Sequence, residues 1–199
     1  MAEKQAKPVQ LLMHRANLND LPVLALPAGY MLRDFSDADE PAWNALQDLA
    51  YGCKPGHNDF TKLMRSDPEF RPERVKLIVC GGSAVATASA WHRPIFGSHV
   101  GYVHWVGSHP EHRGKKLGHW VTVAAMWHMR GEGRTQVVLH TDDFRLAAIK
   151  VYLALGFVPV VDDESHRTRW PSILEQLGAV ERFESILSGP RVTLPLRAI

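Results

Sequence analysis

Apolar and polar residues along the 199-residue chain change period several times, and each change marks an element. Residues 1–27 hold no sustained period and contain Pro8, Pro22 and Pro27, so an N-terminal arm is expected there. GYMLRDF (29–35) alternates as a strand does. SDADEPAWNALQDLAYG then takes helical spacing, with Ser36 or Asp37 as cap, acidic residues in the first turn and Gly52 just past the end. Residues 54–74 are polar and proline-rich, which predicts a loop with one short helix near 60–64. RVKLIVC (74–80) and SAVATASAWHR (83–93) flank Gly81-Gly82 and predict a hairpin.

HVGYVHWVGS (99–108) is a third strand of this series. HWVTVAAMWHMR is apolar on nearly every side, as a buried helix is, with its tryptophans expected in the core alongside Trp91 and Trp105. TQVVLHT (135–141) and FVPVV (157–161) read as strands on either side of a helix, DDFRLAAIKVYLALG (142–156), that Gly156 stops. Trp170, Ile173, Leu174 and Leu177 recur at helical spacing over 165–177, and 180–199 predicts a further helical turn and an extended tail. The order implies an α/β fold, a mixed, mostly antiparallel sheet with helices on both faces. It divides the chain into an arm (1–27), a main domain (28–162) and a C-terminal helical extension (163–199), where homodimer contacts or completion of the sheet could be housed.

Composition narrows the partners. A hydrophobic fraction of 45% suits one compact domain. Lys and Arg number 23 against 21 Asp and Glu, too even a balance for a nucleic-acid-binding surface, so attraction for an anion must be local. Cys53 and Cys80 form no CxxC pair and are expected to be buried, unbridged thiols. The apolar run 11–13 is too short for a signal sequence, and no stretch nears the roughly 18 apolar residues of a membrane helix. A cytoplasmic protein without a membrane partner is the expectation.

The local charge sits in HPEHRGKKLG (109–118), between a predicted strand and the buried helix. Backbone N–H groups at a helix N-terminus attract anions, Gly114 and Gly118 allow close approach, and Arg113, Lys115 and Lys116 add charge. A solvated basic turn would have the same composition, and neither GxxxxGK[ST] nor GxGxxG is present, so the loop alone leaves both readings open. Eight of the eleven histidines fall between His92 and His140, and His109 and His112 have HxxH spacing. That pair lies beside three cations and no zinc-like pattern accompanies it, so no metal is expected.

From Val106 onward, VGSHPEHRGKKLGHWV resembles the acyl-CoA loop of the GNAT acetyltransferase superfamily. DDFRLAAIKVYLALGFVPV resembles its second signature, with Ala148, Tyr152, Gly156 and Phe157 on the fixed positions. The likeness spans about 29–161 and departs twice: Lys116 replaces the loop's first glycine, and Arg145 replaces an asparagine. At Lys116 the backbone must either avoid positive φ or strain a lysine. The resemblance implies acetyl-CoA as cosubstrate, with the pyrophosphate on residues 113–118 (Arg113, Gly114, Lys115, Lys116, Leu117 and Gly118). Pantetheine would lie along Val106, Gly107 and Ser108, where Gly107 suits a β-bulge, with Arg145 facing its arm.

The same resemblance makes Tyr152 the acid that protonates the departing thiolate, with the acceptor amine attacking the thioester directly. The family often carries a carboxylate on the strand before the loop, and HVGYVHWVGS has none. Tyr102 and His104 are two apart there and share a face, which makes His104 the candidate base; a hydrogen-bonded structural histidine is the alternative. The implied function is N-acetyl transfer to a primary amine of a small molecule or peptide. The alternative is a GNAT-like domain that binds CoA or regulates without catalysis, favoured by the changes at 116 and 145 and the missing carboxylate.

Overall fold

The structure, a computed structural model, describes residues 8–192. Seven strands form one sheet: β1 (Leu11–Arg15), β2 (Tyr30–Asp34), β3 (Val75–Cys80), β4 (Ser83–Trp91), β5 (Val100–Ser108), β6 (Gln136–Thr141) and β7 (Val158–Val160). Their order across the sheet is β2-β3-β4-β5-β6-β1-β7. Every pairing is antiparallel except β5 with β6. Among the described residues there are five α-helices, α1 (Glu40–Tyr51), α2 (Leu117–Gly131), α3 (Leu146–Ala154), α4 (His166–Gln176) and α5 (Val180–Ser188). None of the helices among the described residues is long and apolar enough to cross a membrane.

Strand alternation sorts the core into two layers. Leu11, Met13, Val103, Val137 and Leu139 point to the face covered by α2, α3, α4 and α5. Leu12, Leu77, Tyr102, Val138 and Val160 point to the other face, where Trp43 of α1, Phe60 and Met64 meet them. The predicted hairpin, buried helix and strand–helix–strand unit all form. Asp39 Oδ2 accepts from the Ser36 N–H in the short turn (37–39) that leads into α1, while Gly52 closes that helix with φ 65°.

The reading of 1–27 as an arm needs correction over 11–15. Leu11, Leu12 and Met13 are fully buried, and β1 lies between β6 and β7. A strand covered on both faces carries no polar–apolar alternation, so its run of three apolar residues lacked the expected pattern. Residues 16–27 do wrap the outside: Leu18 and Leu21 reach the core, and Trp127 Nε1 donates to the Pro22 carbonyl. Trp127 is therefore a surface tryptophan, not a core one, and its ring is 37% exposed. The start of α3 also differs, because Asp142 to Arg145 form a turn before the helix. The C-terminal helices join the main core through Trp170, Ile173, Leu174 and Phe183, and residues 193–199 of the expected tail lie outside the described residues. Cys53 and Cys80 are unbridged, and both are half-buried.

Arg15 at the end of β1 donates through Nη1 to the Leu155 carbonyl at the end of α3. Gly156 has φ 81°, and a Cβ there would lie 2.7 Å from Arg15 Nη1. Gly156→Ala is therefore expected to destabilise the fold by about 2 kcal/mol through left-handed strain alone. Thermal melting should show a fall in Tm of roughly 4–8 °C, and an unchanged Tm would remove Gly156 from the joint between β1 and α3.

Candidate active site

The paired register of β5 and β6 stops at Tyr102↔Val138. Beyond it the strands part, and two cavities open on the two sides of the gap. One, of about 590 Å³, lies between the loop after β5 and α3. The other, of about 360 Å³, lies between α1, β5 and β6. Val106, Arg145, Ala148 and Tyr152 line both, so the cavities meet at these four residues.

A bulge shapes β5 at this point. Thr87 pairs with Gly107 and Ser89 with His104, which leaves Trp105 and Val106 opposite a single residue of β4. Trp105 takes φ 49°, a conformation that costs a non-glycine residue about 1–2 kcal/mol. The bulge was expected at Gly107, which instead stays paired and serves close packing: a Cβ there would meet Gln47 Oε1 at 2.6 Å. Helix α1 secures the bulge, since Gln47 Nε2 donates to the Trp105 carbonyl (2.8 Å) and the Tyr51 hydroxyl to the Val106 carbonyl (3.1 Å).

The loop 109–118 is tied down by its own histidines. His109 N–H donates to the Val85 carbonyl, and His112 Nδ1 shares a 2.9 Å hydrogen bond with the Tyr30 hydroxyl. Lys116, immediately before α2, has φ 56°, so the lysine adopts the backbone of the glycine it replaces and bears the strain. No side chain caps α2, leaving the first-turn N–H groups turned to the cavity. Arg113, Gly114, Lys116, Leu117 and Gly118 line that cavity, as do Val106, Gly107, Ser108 and Arg145. Lys115 does not; it lies on the exposed outer side. Arg145 is partly engaged already, with Nε donating to Asp142 (2.9 Å) and its guanidinium 4.2 Å from the Tyr51 ring centroid.

The smaller cavity collects Tyr102, His104 and Trp105 from β5, His140 from β6, and His57 and Asn58 from the segment after α1. Burial, reinforced by Arg93, lowers the His104 imidazole to about 3, so it stays neutral and holds a proton poorly. Burial pushes the Tyr102 phenol up to about 12. The Tyr102 hydroxyl and His140 Nδ1 are 3.1 Å apart. Tyr152, 6% exposed, is held above the ordinary phenol range by burial. His109 and His112 stand edge to face at 5.6 Å, and among the described residues no group of three metal-ligating side chains is found.

Residues 43–157 match the family model described as acetyltransferase (GNAT) family. The chain belongs to that family. Among curated relatives, a mycothiol acetyltransferase of Thermobispora bispora is 34% identical over 163 residues, 78% of this chain and 55% of the relative. One of Pseudarthrobacter chlorophenolicus is 34% identical over 69% of this chain and 45% of its own length. The chain thus spans about half the length of these relatives. A GCN5-related N-acetyltransferase structure from Kribbella flavida matches at TM-score 0.54 and 27% identity, over 75% of this chain and 54% of that one. Another, from Sphaerobacter thermophilus, shares the fold at TM-score 0.56 and 23% identity, over 77% of this chain and 49% of that one.

Within the GNAT frame, sequence reasoning missed Tyr51, Gln47 and His140. The helical period put Gln47 and Tyr51 four apart on one face of α1, but nothing local says that this face meets a bulge. His140 shares the face of Val138 by alternation, and only the parallel pairing brings it to Tyr102.

Two substitutions probe the larger cavity. A Cβ at Gly118 would meet nothing within 4 Å, and an acidic residue suits the first turn of a helix, so Gly118→Asp should fold with an unchanged or higher Tm. Its charge should weaken acetyl-CoA binding about 100-fold, the effect of roughly 3 kcal/mol against a nearby anion; titration calorimetry with undiminished affinity would displace the ligand from this loop. Lys116→Gly should relieve left-handed strain for a net gain of roughly 0.5–1 kcal/mol and raise Tm by about 1–4 °C. A lowered Tm would show that Lys116 makes a compensating contact.

Proposed function

We propose that this protein transfers an acetyl group from acetyl-CoA to a primary amine of a small molecule. The single observation that carries the reading is the pair of cavities meeting at Tyr152 and the bulge, one walled by a helix N-terminus and fixed cations, the other chiefly by polar and aromatic side chains. The pyrophosphate would sit on the first turn of α2 beside Arg113 and Lys116. The pantetheine amides would pair with the edge of β5 that faces the gap along Val106, Gly107 and Ser108, as an added strand does. A cavity of about 360 Å³ suits an acceptor of small-molecule size, and the relatives' name, mycothiol acetyltransferase, supports such an acceptor.

The chemistry follows from the shared wall. The neutral amine attacks the thioester carbonyl, the C–N bond forms, and collapse of the tetrahedral intermediate breaks the C–S bond. Tyr152 gives its phenolic proton to the leaving sulfur and recovers one from the nitrogen that attacked. A phenol held above its ordinary value is a weak acid for a thiolate in water. Here the thiolate departs into the same dry wall, where its own proton affinity rises with burial, so the transfer is no longer steeply uphill. The same burial keeps Tyr152 protonated at every working pH, which the role requires. His104 borders the acceptor, but as a neutral imidazole it serves to shape and orient the chamber. The non-catalytic reading loses one of its three supports at Lys116, which takes the left-handed backbone that a glycine would adopt there.

Calorimetric titration with acetyl-CoA, CoA and ATP tests the cofactor assignment: selective micromolar binding of the two CoA compounds is expected, whereas equal, salt-sensitive binding of all three would leave only a basic turn. Tyr152→Phe should lower kcat by about 100-fold or more, the usual worth of a positioned acid, with acetyl-CoA affinity little changed. Equal turnover would remove Tyr152 from the mechanism.

A further inference from the structure

The acetyl-transfer reading leaves one requirement unmet: an alkylammonium must lose a proton before its nitrogen can attack, and the strand before the loop offers no carboxylate. The two side chains first indicated by the sequence are each unsuited to hold that proton. Tyr102 ionises only at about 12, and the His104 imidazole accepts a proton only at about 3. A different pair is better built. Tyr102 is the last β5 residue paired with β6, His140 lies on β6 two residues past its partner Val138, and both line the acceptor chamber. The phenol oxygen lies 3.1 Å from His140 Nδ1, and the rings stand edge to face at 5.7 Å.

We propose that the acceptor's proton leaves through the Tyr102 hydroxyl to Nδ1 of His140, which makes Tyr102 the group that touches the amine and His140 the terminal proton acceptor behind it. This proposal rests on the acetyl-transfer reading. In the step, the ammonium N–H bond breaks as the phenol oxygen takes that proton, and the phenol's own O–H proton passes to Nδ1. Tyr102 is a neutral phenol before and after, so its high pKa is no obstacle. The imidazole becomes an imidazolium with protons on both nitrogens and later releases one to solvent, the net proton that amide formation must discharge.

The surroundings of His140 favour this role over His104. His140 faces Tyr102 and His104 from β5, the Phe96 ring at 5.8 Å, Leu12 from β1, and the Asp162–His166 pair from the end of β7 and the start of α4. Asp142, on the same cavity wall, is held by Gln10 and Arg145. Arg93 lies over the Tyr102 ring, 5.8 Å from its centroid, and disfavours a positive charge on His104. Burial lowers the His140 imidazole, the Asp162 carboxylate works against that lowering, and His166 adds to it. Asp162 Oδ1 stands 3.0 Å from Nδ1 of the fully buried His166. The C-terminal extension thereby supplies His166, a buried imidazole beside Asp162 behind the acceptor site, in addition to packing.

The sign of the pH dependence follows. The acceptor must be neutral to work, so kcat should rise with pH through a midpoint below the ordinary imidazole value and then level. The test is the pH profile of kcat with acetyl-CoA and spermidine, lysine and alanine amide as acceptors. His140→Asn and Tyr102→Phe should each lower kcat roughly 100-fold, a typical value for lost general-base assistance, and abolish the acidic limb. The double variant should be little worse than either single one, because the two residues act in series. His104→Asn should keep the limb, and Asp162→Asn should move it to lower pH without removing it. Calorimetry with acetyl-CoA controls for folding, and His140→Gln stands in if the asparagine variant does not fold. An acidic limb that persists in a folded, CoA-binding His140 variant would overturn the proposal while leaving acetyl transfer intact. A wild-type protein that binds acetyl-CoA yet acetylates none of the amines would overturn the acetyl-transfer reading itself.

Discussion

The divergence of two parallel strands governs everything else in this molecule. Strands β5 and β6 are hydrogen-bonded for three residue pairs and then part, and the gap exposes a sheet edge in the middle of a sheet. An exposed internal edge is ordinarily a fault, since its N–H and C=O groups lack partners. Here the fault is controlled. The bulge at Trp105 turns β5 away, and α1 takes up two of the freed carbonyls with Gln47 and Tyr51. At about 1 kcal/mol net for each bond, the two roughly offset the left-handed strain at Trp105.

The same geometry accounts for the chemical asymmetry of the site. On the loop side, backbone dipoles and fixed cations face the cavity, and the strained lysine at 116 keeps the turn that brings them there. On the α1 side, aromatic rings and desolvated imidazoles line a smaller space. Each side chain with a proposed role draws its property from burial more than from a charged partner. Tyr152 and Tyr102 are kept protonated and His104 is kept neutral, while at His140 the Asp162 carboxylate works against the lowering that burial imposes. One environment thereby yields a donor, a conduit and an acceptor.

Much of this was legible in the sequence because it rests on local patterns. The hairpin about Gly81-Gly82, the buried helix after the basic loop and the Tyr152–Gly156–Phe157 spacing depend on neighbours in the chain. The features that escaped are long-range. β1 hides because a strand buried on both faces shows no alternation. The bulge fell at Trp105 and not at Gly107, because glycine was needed to admit α1 at close range. Arg145 lines both cavities, but its engagement with Asp142 and the Tyr51 ring was not visible in the sequence. His140 could be put on a strand face from sequence, but not beside Tyr102.

The placement of β1 also bears on how the molecule comes together. Leu11 pairs with Thr141, and Leu12 with Val160, so β1 waits for β6 and β7, more than 120 residues later, before it has a neighbour in the sheet. Contacts of such sequence separation slow folding, because a long loop must close before any of them forms. The gap between β6 and β7 remains open until that moment, with β1 as the keystone between them. The wall that carries His140 is therefore assembled late, and a nascent chain that has not yet reached β6 leaves an apolar Leu-Leu-Met strand without a place in the sheet.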